Sequence, residues 1–211
     1  LHEIPPSPNS MKVRIALNYK GIAFERIPLQ MTPGVPPSQS DRSVLIELSR
    51  QPFAPVLVHG SVRMFDSSAI LRYLEANFPD TPPIFSTVYP IAREMEAWEK
   101  IGRTECIAPV GIVFGQAFSD TPDPTECQRA CQIAHEASAP IEERLKGSEW
   151  LVGDHLSIAD IVCAPPLFYG MISDEAAKAS PIAAFFKKSL DLGPDRERTR
   201  AWVAKVMAFD R

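Results

Sequence analysis

The chain has 211 residues, 45% apolar and 23% charged, a globular composition that allows one large domain or two small ones. Its net charge is −4 and no Lys/Arg run exceeds Lys187-Lys188, which argues against a basic stripe for nucleic acid. No apolar run approaches the ~20 residues of a bilayer span and no leader pattern is visible, so no membrane partner is expected and the setting is read as cytoplasmic.

Leu1 to Ile4 reads as a short apolar strand. Pro8 to Lys20 reads as a helix with Val13, Ala16 and Leu17 on one face and Gly21 as its stop. Between them, Ser7-Pro8 marks a strand-to-helix turn with a hydroxyl at the helix mouth. The unpaired N–H groups and the dipole of a helix start favour an anion. The turn holds no cysteine, so a thiolate there would have to come from a ligand. Read plainly, Ser7 is an N-cap ahead of a proline at the first helical position. Phe24 to Leu29 reads as a second strand, followed by a Pro/Ser/Gln-rich loop over 32–40 and a short helix around Ser43 to Leu48. Pro55 to Val58 and Val62 to Phe65 form a hairpin pattern around Gly60. Asp66-Ser67-Ser68 then opens a helix continued by Ala69, Ile70, Tyr73, Leu74 and Phe78. The order β-α-β-α-β-β-α over 1–79 is an α/β unit with a hairpin at its edge.

Pro79 to Pro90 hold four prolines and no period, so 80–90 is read as a linker. From 91 to 211 every pattern is helical. Ile91, Met95, Trp98 and Ile101 form a stripe opposite charged residues. Asp123-Pro124-Thr125-Glu126 has the form of a capping box ahead of Cys127, Cys131, Ala134, Ser138, Ile141 and Leu145. The two cysteines, one turn apart, read as buried helical thiols, and the absence of any C-x-x-C pair points to a reducing setting. Ser157-Ile158-Ala159-Asp160 is a second capping box, and its helix is apolar almost all round, as expected at the centre of a core. Two last helices are expected over Pro181 to Leu190 and Pro194 to Phe209. His2, His59, His135 and His155 do not cluster, so no metal site is implied.

Four marks in order carry a family resemblance: Ser7-Pro8…Lys12-Val13-Arg14, Ala54-Pro55-Val56-Leu57, Asp66-Ser67 with Ala69-Ile70, and Trp150-Leu151-Val152-Gly153…Ser157-Ile158-Ala159-Asp160. Together they make the chain resemble the cytosolic glutathione transferases over nearly its whole length. The resemblance implies an α/β + all-α fold. A thioredoxin-like glutathione-binding domain at 1–79 would be followed by an all-helical domain at 91–211 that holds the electrophile.

By the same resemblance, the residue at Ser7 activates the sulfur of glutathione, the co-substrate. A free thiol with a pKa near ~8.5 is only about 3% thiolate at neutral pH, and lowering it by about two units takes ~2.7 kcal/mol. One hydroxyl-to-thiolate hydrogen bond, roughly 1.5–3 kcal/mol, plus a helix dipole is of that size. Ser10 is the second hydroxyl expected near the sulfur. Serine in place of the family's alternative cysteine removes an enzyme nucleophile for disulfide exchange, which favours conjugation, peroxide reduction or isomerisation through the ligand's thiolate.

Pro55 matches a cis-proline whose preceding residue, Ala54, pairs its backbone with the ligand. Asp66 and Ser67 match the pair that grips the γ-glutamyl ammonium and carboxylate, although both also read as helix caps. The segment 50–55 departs from the family pattern, leaving Arg50 and Gln51 as candidates for the ligand's glycine carboxylate. Ile107, Val110, Phe114, Phe118 and Tyr169 would line the pocket for a small apolar electrophile, a homodimer being the default assembly. A glutathione-dependent isomerase or β-etherase-type lyase, a non-catalytic glutathione- or ligand-binding module and a carrier for large apolar molecules are the competing readings.

Overall fold

The strands of this protein are short, two or three residues each among the described residues. The computed structural model describes residues 1–30 and 39–211. The loop predicted over 32–40 therefore lies, as far as residue 38, outside the described residues. Strand β1 (His2–Glu3) pairs in parallel with β2 (Ile27–Pro28). Pro28 has no N–H for a further ladder, which suits an edge strand. The expected strand from Phe24 to Leu29 is reduced to this pair.

Strands β3 (Leu57–His59) and β4 (Val62–Met64) form the hairpin, with Gly60 at φ +56° in its turn. A single antiparallel bridge between His2 and Val56 joins the two pairs, its two hydrogen bonds each 2.9 Å. Helix α1 (Pro8–Tyr19) and α3 (Ser67–Asn77) pack against each other in this unit, and α2 (Ser43–Ser49) is a short addition. Val13, Ile15, Leu17, Val56, Ile70, Leu71 and Leu74 are among its buried apolar residues. The predicted one-sided apolar face of α1 is an underestimate, because every residue from Ser10 to Leu17 is buried, Lys12 and Arg14 included.

Contacts divide the chain into Leu1–Ile84 with Phe209–Arg211, and Phe85–Ala208. The second unit is helical. Helix α4 (Tyr89–Ile101) runs through a π-turn (Gly102–Cys106) into α5 (Ala108–Ala117). They are followed by α6 (Pro124–Arg144), α7 (Ile158–Phe168), α8 (Asp174–Ala179), α9 (Pro181–Ser189) and α10 (Glu197–Met207). Helix α8 was not expected, although Ser173 caps it by accepting from the Ala176 N–H at 3.1 Å. None of the described helices is long and apolar enough to cross a membrane.

The start of α6 forms only half of its predicted capping box. Asp123 accepts from the Thr125 N–H at 2.8 Å, but Glu126 turns to Arg129 and the Asp123 N–H donates to Gln116 instead. An arginine one turn on competes for the carboxylate that would have closed the box.

Helix α7 is buried from Ile158 to Leu167 and packs on α4 and α10. Gly102 permits that closeness, since a Cβ there would stand 2.7 Å from Val162 Cγ1 and 2.9 Å from the Val162 carbonyl carbon. Asp160, wholly buried, organises the surroundings. Its Oδ1 accepts from the Leu151 N–H at 3.0 Å and from Trp202 Nε1 at 2.8 Å. Its Oδ2 accepts from the Ser157 N–H at 2.9 Å and from Ser157 Oγ at 3.0 Å. Burial pushes this carboxyl above the ordinary aspartate range, while the four donors pull it back down.

An amide at residue 160 would set an NH2 against two of those donors, each unpaired buried group costing ~1–3 kcal/mol. Asp160→Asn is therefore expected to lose about 2–5 kcal/mol of stability in urea unfolding, and a loss below about 1 kcal/mol would contradict this account.

Candidate active site

The turn between β1 and α1 is closed by its own backbone. The Ser7 N–H donates to Ile4 O at 2.9 Å, and Ser7 O accepts from the N–H groups of Ser10 and Met11, each at 3.0 Å. Ser7 thus occupies the N-cap position with extended backbone, yet its side chain makes no capping hydrogen bond. The hydroxyl, on a half-buried residue, has no partner among the described residues.

Ser10 is placed differently. It is 0% exposed, and its Oγ accepts from the Ile4 N–H at 3.2 Å, bracing the turn from inside the fold.

Strand pairing joins the segments that lead to Ala54, Pro55 and Asp66 with β1. The isolated His2–Val56 bridge lies two residues before Ile4 and two residues after Ala54. Pro55 and Asp66 each lie two residues beyond the Leu57–Met64 pair that ends the hairpin. The rings of Phe53 and Phe65, which flank these two turns, stack with centroids 6.1 Å apart. The Ala54–Pro55 peptide is cis, and no backbone hydrogen bond engages Ala54 among the described residues.

Asp66 caps α3, its Oδ1 accepting from the Ala69 N–H at 3.0 Å. Ser67 is buried at the first position of the helix, and among the described residues its hydroxyl has no partner. Its N–H and that of Ser68 have no acceptor within the helix, the usual state of a first turn. Arg50 ends α2 with φ +60°, exposed, and its guanidinium meets no carboxylate among the described residues.

Among the described residues, the Ser7 and Ser67 hydroxyls, the Ala54 backbone and the Arg50 guanidinium have no partner, and Asp66 brings a carboxylate. Such a set can take an extended ligand that carries carboxylates and one ammonium.

Residues the sequence reading passed over support this turn. Arg14 and Glu3 are both buried, and Arg14 donates to Glu3 and to the Pro5 carbonyl. The signal was available as cations inside the buried run Lys12-Val13-Arg14-Ile15-Ala16-Leu17.

In the helical unit, Val110 and Tyr169 are buried, the latter with its ring 4.9 Å from Phe186. Ile107 and Phe118 are half-buried. Phe114 is 38% exposed, and its ring lies 5.1 Å from that of Phe118. Among the described residues no His, Cys, Asp or Glu side chains gather into a metal-holding group.

Comparison with known proteins places both units. Residues 1–82 match the model of the glutathione S-transferase N-terminal domain, and residues 104–209 match that of the C-terminal domain. The chain is 25% identical to glutathione S-transferase F10 of Arabidopsis thaliana over 206 residues, 94% of this chain and 87% of that one. It is 27% identical to glutathione S-transferase 1 of Dianthus caryophyllus over 173 residues, 79% and 75% of the two chains. A solved glutathione S-transferase from Rhodospirillum rubrum F11 shares the fold with a TM-score of 0.76 at 21% identity, covering 98% of this chain and 86% of the other.

The cap on α3 can be tested apart from any ligand. Asp66→Ala is expected to lose about 1 kcal/mol of stability, whereas Asp66→Asn keeps an acceptor for Ala69 and loses only a few tenths. Equal losses in thermal unfolding would contradict the capping role.

Proposed function

The chain belongs to the cytosolic glutathione transferase family, and we propose that it binds glutathione, holds the sulfur as thiolate beside Ser7 and adds it to a small apolar electrophile. Members of the family use glutathione as co-substrate. One observation carries the reading: Ser7 stands at a helix N-cap with a hydroxyl that caps nothing. An N-cap serine normally spends its oxygen on a helix N–H, so this one is left to donate to an incoming anion.

The rest of the ligand is matched to the remaining unpaired groups. Ala54 pairs its backbone with the peptide, beside Pro55. The uncommitted oxygen of Asp66 meets the γ-glutamyl ammonium, and the α3 N–H groups with the Ser67 hydroxyl meet its carboxylate. Arg50 meets the glycine carboxylate, its exposed guanidinium supporting that role.

The thiol proton leaves to solvent. The thiolate then forms the new S–C bond as the electrophile's leaving group departs or its double bond shifts. Ser10 braces the turn rather than meeting the sulfur, a division that its full burial supports. The electrophile is assigned to the helical unit, where the Phe114–Phe118 pair offers apolar surface. A homodimer in the cytoplasm is the proposed working state, on the strength of the family alone.

Losing a hydrogen bond to a charged sulfur, roughly 1.5–3 kcal/mol, corresponds to about a 10- to 150-fold fall in rate. Ser7→Ala is therefore expected to raise the pKa of the bound thiol, read from thiolate absorbance against pH, and to lower kcat/KM with a nitroaryl halide by that factor. Glutathione is expected to raise the melting temperature of both proteins. No such rise in the unaltered protein, or an unchanged thiol pKa in Ser7→Ala, would overturn the proposal.

A further inference from the structure

The proposed chemistry makes no use of the charge network behind the Ser7 turn. Arg14, only 3% exposed on α1, has every nitrogen of its guanidinium engaged. Nε donates to Asp210 Oδ1 at 2.6 Å and NH2 to Asp210 Oδ2 at 2.9 Å, a two-point grip along one edge of the plane. The second donor of NH2 reaches Pro5 O at 3.0 Å, and NH1 donates to Glu3. Glu3, wholly buried, also accepts from Arg26 Nε at 2.6 Å.

The segment that brings Asp210 is seated on the same helix one turn further along. Asn18 Nδ2 donates to Phe209 O at 2.8 Å, and the Phe209 ring meets Tyr19 edge-on at 5.4 Å.

We infer that Asp210 is a positioning residue for Ser7, fixing the plane of Arg14 so that its other donors hold Glu3 and Pro5 on the near side of the turn. This rests on the reading of Ser7 given above. A guanidinium is a rigid fork, so gripping one edge dictates where the remaining N–H groups aim. Pro5 lies two residues before Ser7, and the Ser7 N–H is itself held by Ile4 O.

With Arg14 on Pro5 O and Ser10 on the Ile4 N–H, the backbone leading to the Ser7 hydroxyl is pinned at consecutive residues. Without the two acceptors of Asp210, the Nε edge of a buried cation is unpaired. The fork then turns to recover acceptors and releases Pro5. A displacement of about 1 Å at a reacting group can cost up to ~100-fold in rate, so a loose turn would show in the chemistry.

The test compares Asp210→Asn, Asp210→Glu and Asn18→Ala, the last loosening the 209–211 segment without touching Arg14. Amide exchange of Ser7, Ser10 and Met11 is read without glutathione, and the pKa of the thiol is read with glutathione bound. Asp210→Asn is expected to speed exchange at the turn about tenfold and to raise the thiol pKa by about one unit, while Asp210→Glu recovers most of both. Asn18→Ala is expected to lower the melting temperature with the thiol pKa unmoved.

Unchanged exchange and pKa in Asp210→Asn would overturn the inference. So would an equal pKa rise in Asn18→Ala, because general loosening would then explain the effect. Faster exchange in Asp210→Asn, together with a thiol pKa that Ser7→Ala leaves unmoved, would overturn the reading of Ser7 and leave the clamp standing.

Discussion

A buried guanidinium must have its charge and its donors met, and the N-terminal unit is arranged around meeting those of Arg14. Glu3 on β1, the Pro5 carbonyl in the turn and Asp210 near the end of the chain supply the acceptors. Each is then tied to α1, because removing any one leaves part of a desolvated cation unpaired. The strand, the turn and the last described residues thereby behave as one piece with the helix. Lys20 repeats the device at the other end of α1, where Nζ donates to Glu75 on α3 at 2.8 Å and to Pro82 O at 3.0 Å. A sheet of two-residue and three-residue strands holds little by its own ladder. Ionic ties from α1 supply what the strands lack.

The helical unit meets a similar demand with the opposite charge and no cation. Asp160 faces four neutral donors from the segment before α7, from the α7 cap and from α10. Its burial and its hydrogen bonds act against each other on the carboxyl, and stability there rests on keeping every donor aimed. Arg14 in one unit and Asp160 in the other are each held by several hydrogen-bond partners. Elsewhere in the first unit the opposite holds: the hydroxyls of Ser7 and Ser67, the Ala54 backbone and the Arg50 guanidinium have no partners among the described residues. A ligand site needs this contrast, because groups already satisfied have nothing to offer and groups poorly supported cannot hold a position.

Much of this was legible in the sequence, since local chemistry fixes local structure. Proline at the first helical position, Gly21, Gly60 and the serine and aspartate caps set the starts and stops of α1, the hairpin, α3 and α7 through backbone geometry that neighbours cannot easily override. The order of those signals, with four short motifs at their spacing, determined the family and with it the two-part fold.

Tertiary structure alone decided which polar groups are spent. Ser7 and Ser10 look alike in the chain, three residues apart beside one helix start. Packing buries the second against Ile4 and leaves the first uncommitted. Glu126 fits a capping box by spacing, yet Arg129 takes it. Arg14 reads as one cation in an apolar run, and its meaning depends on Asp210, 196 residues away. Periodicity reports which face a residue occupies and never which distant acceptor meets it there. Pairing over such separations is set by the packed fold, where the cost of an unpaired buried group exceeds any local preference.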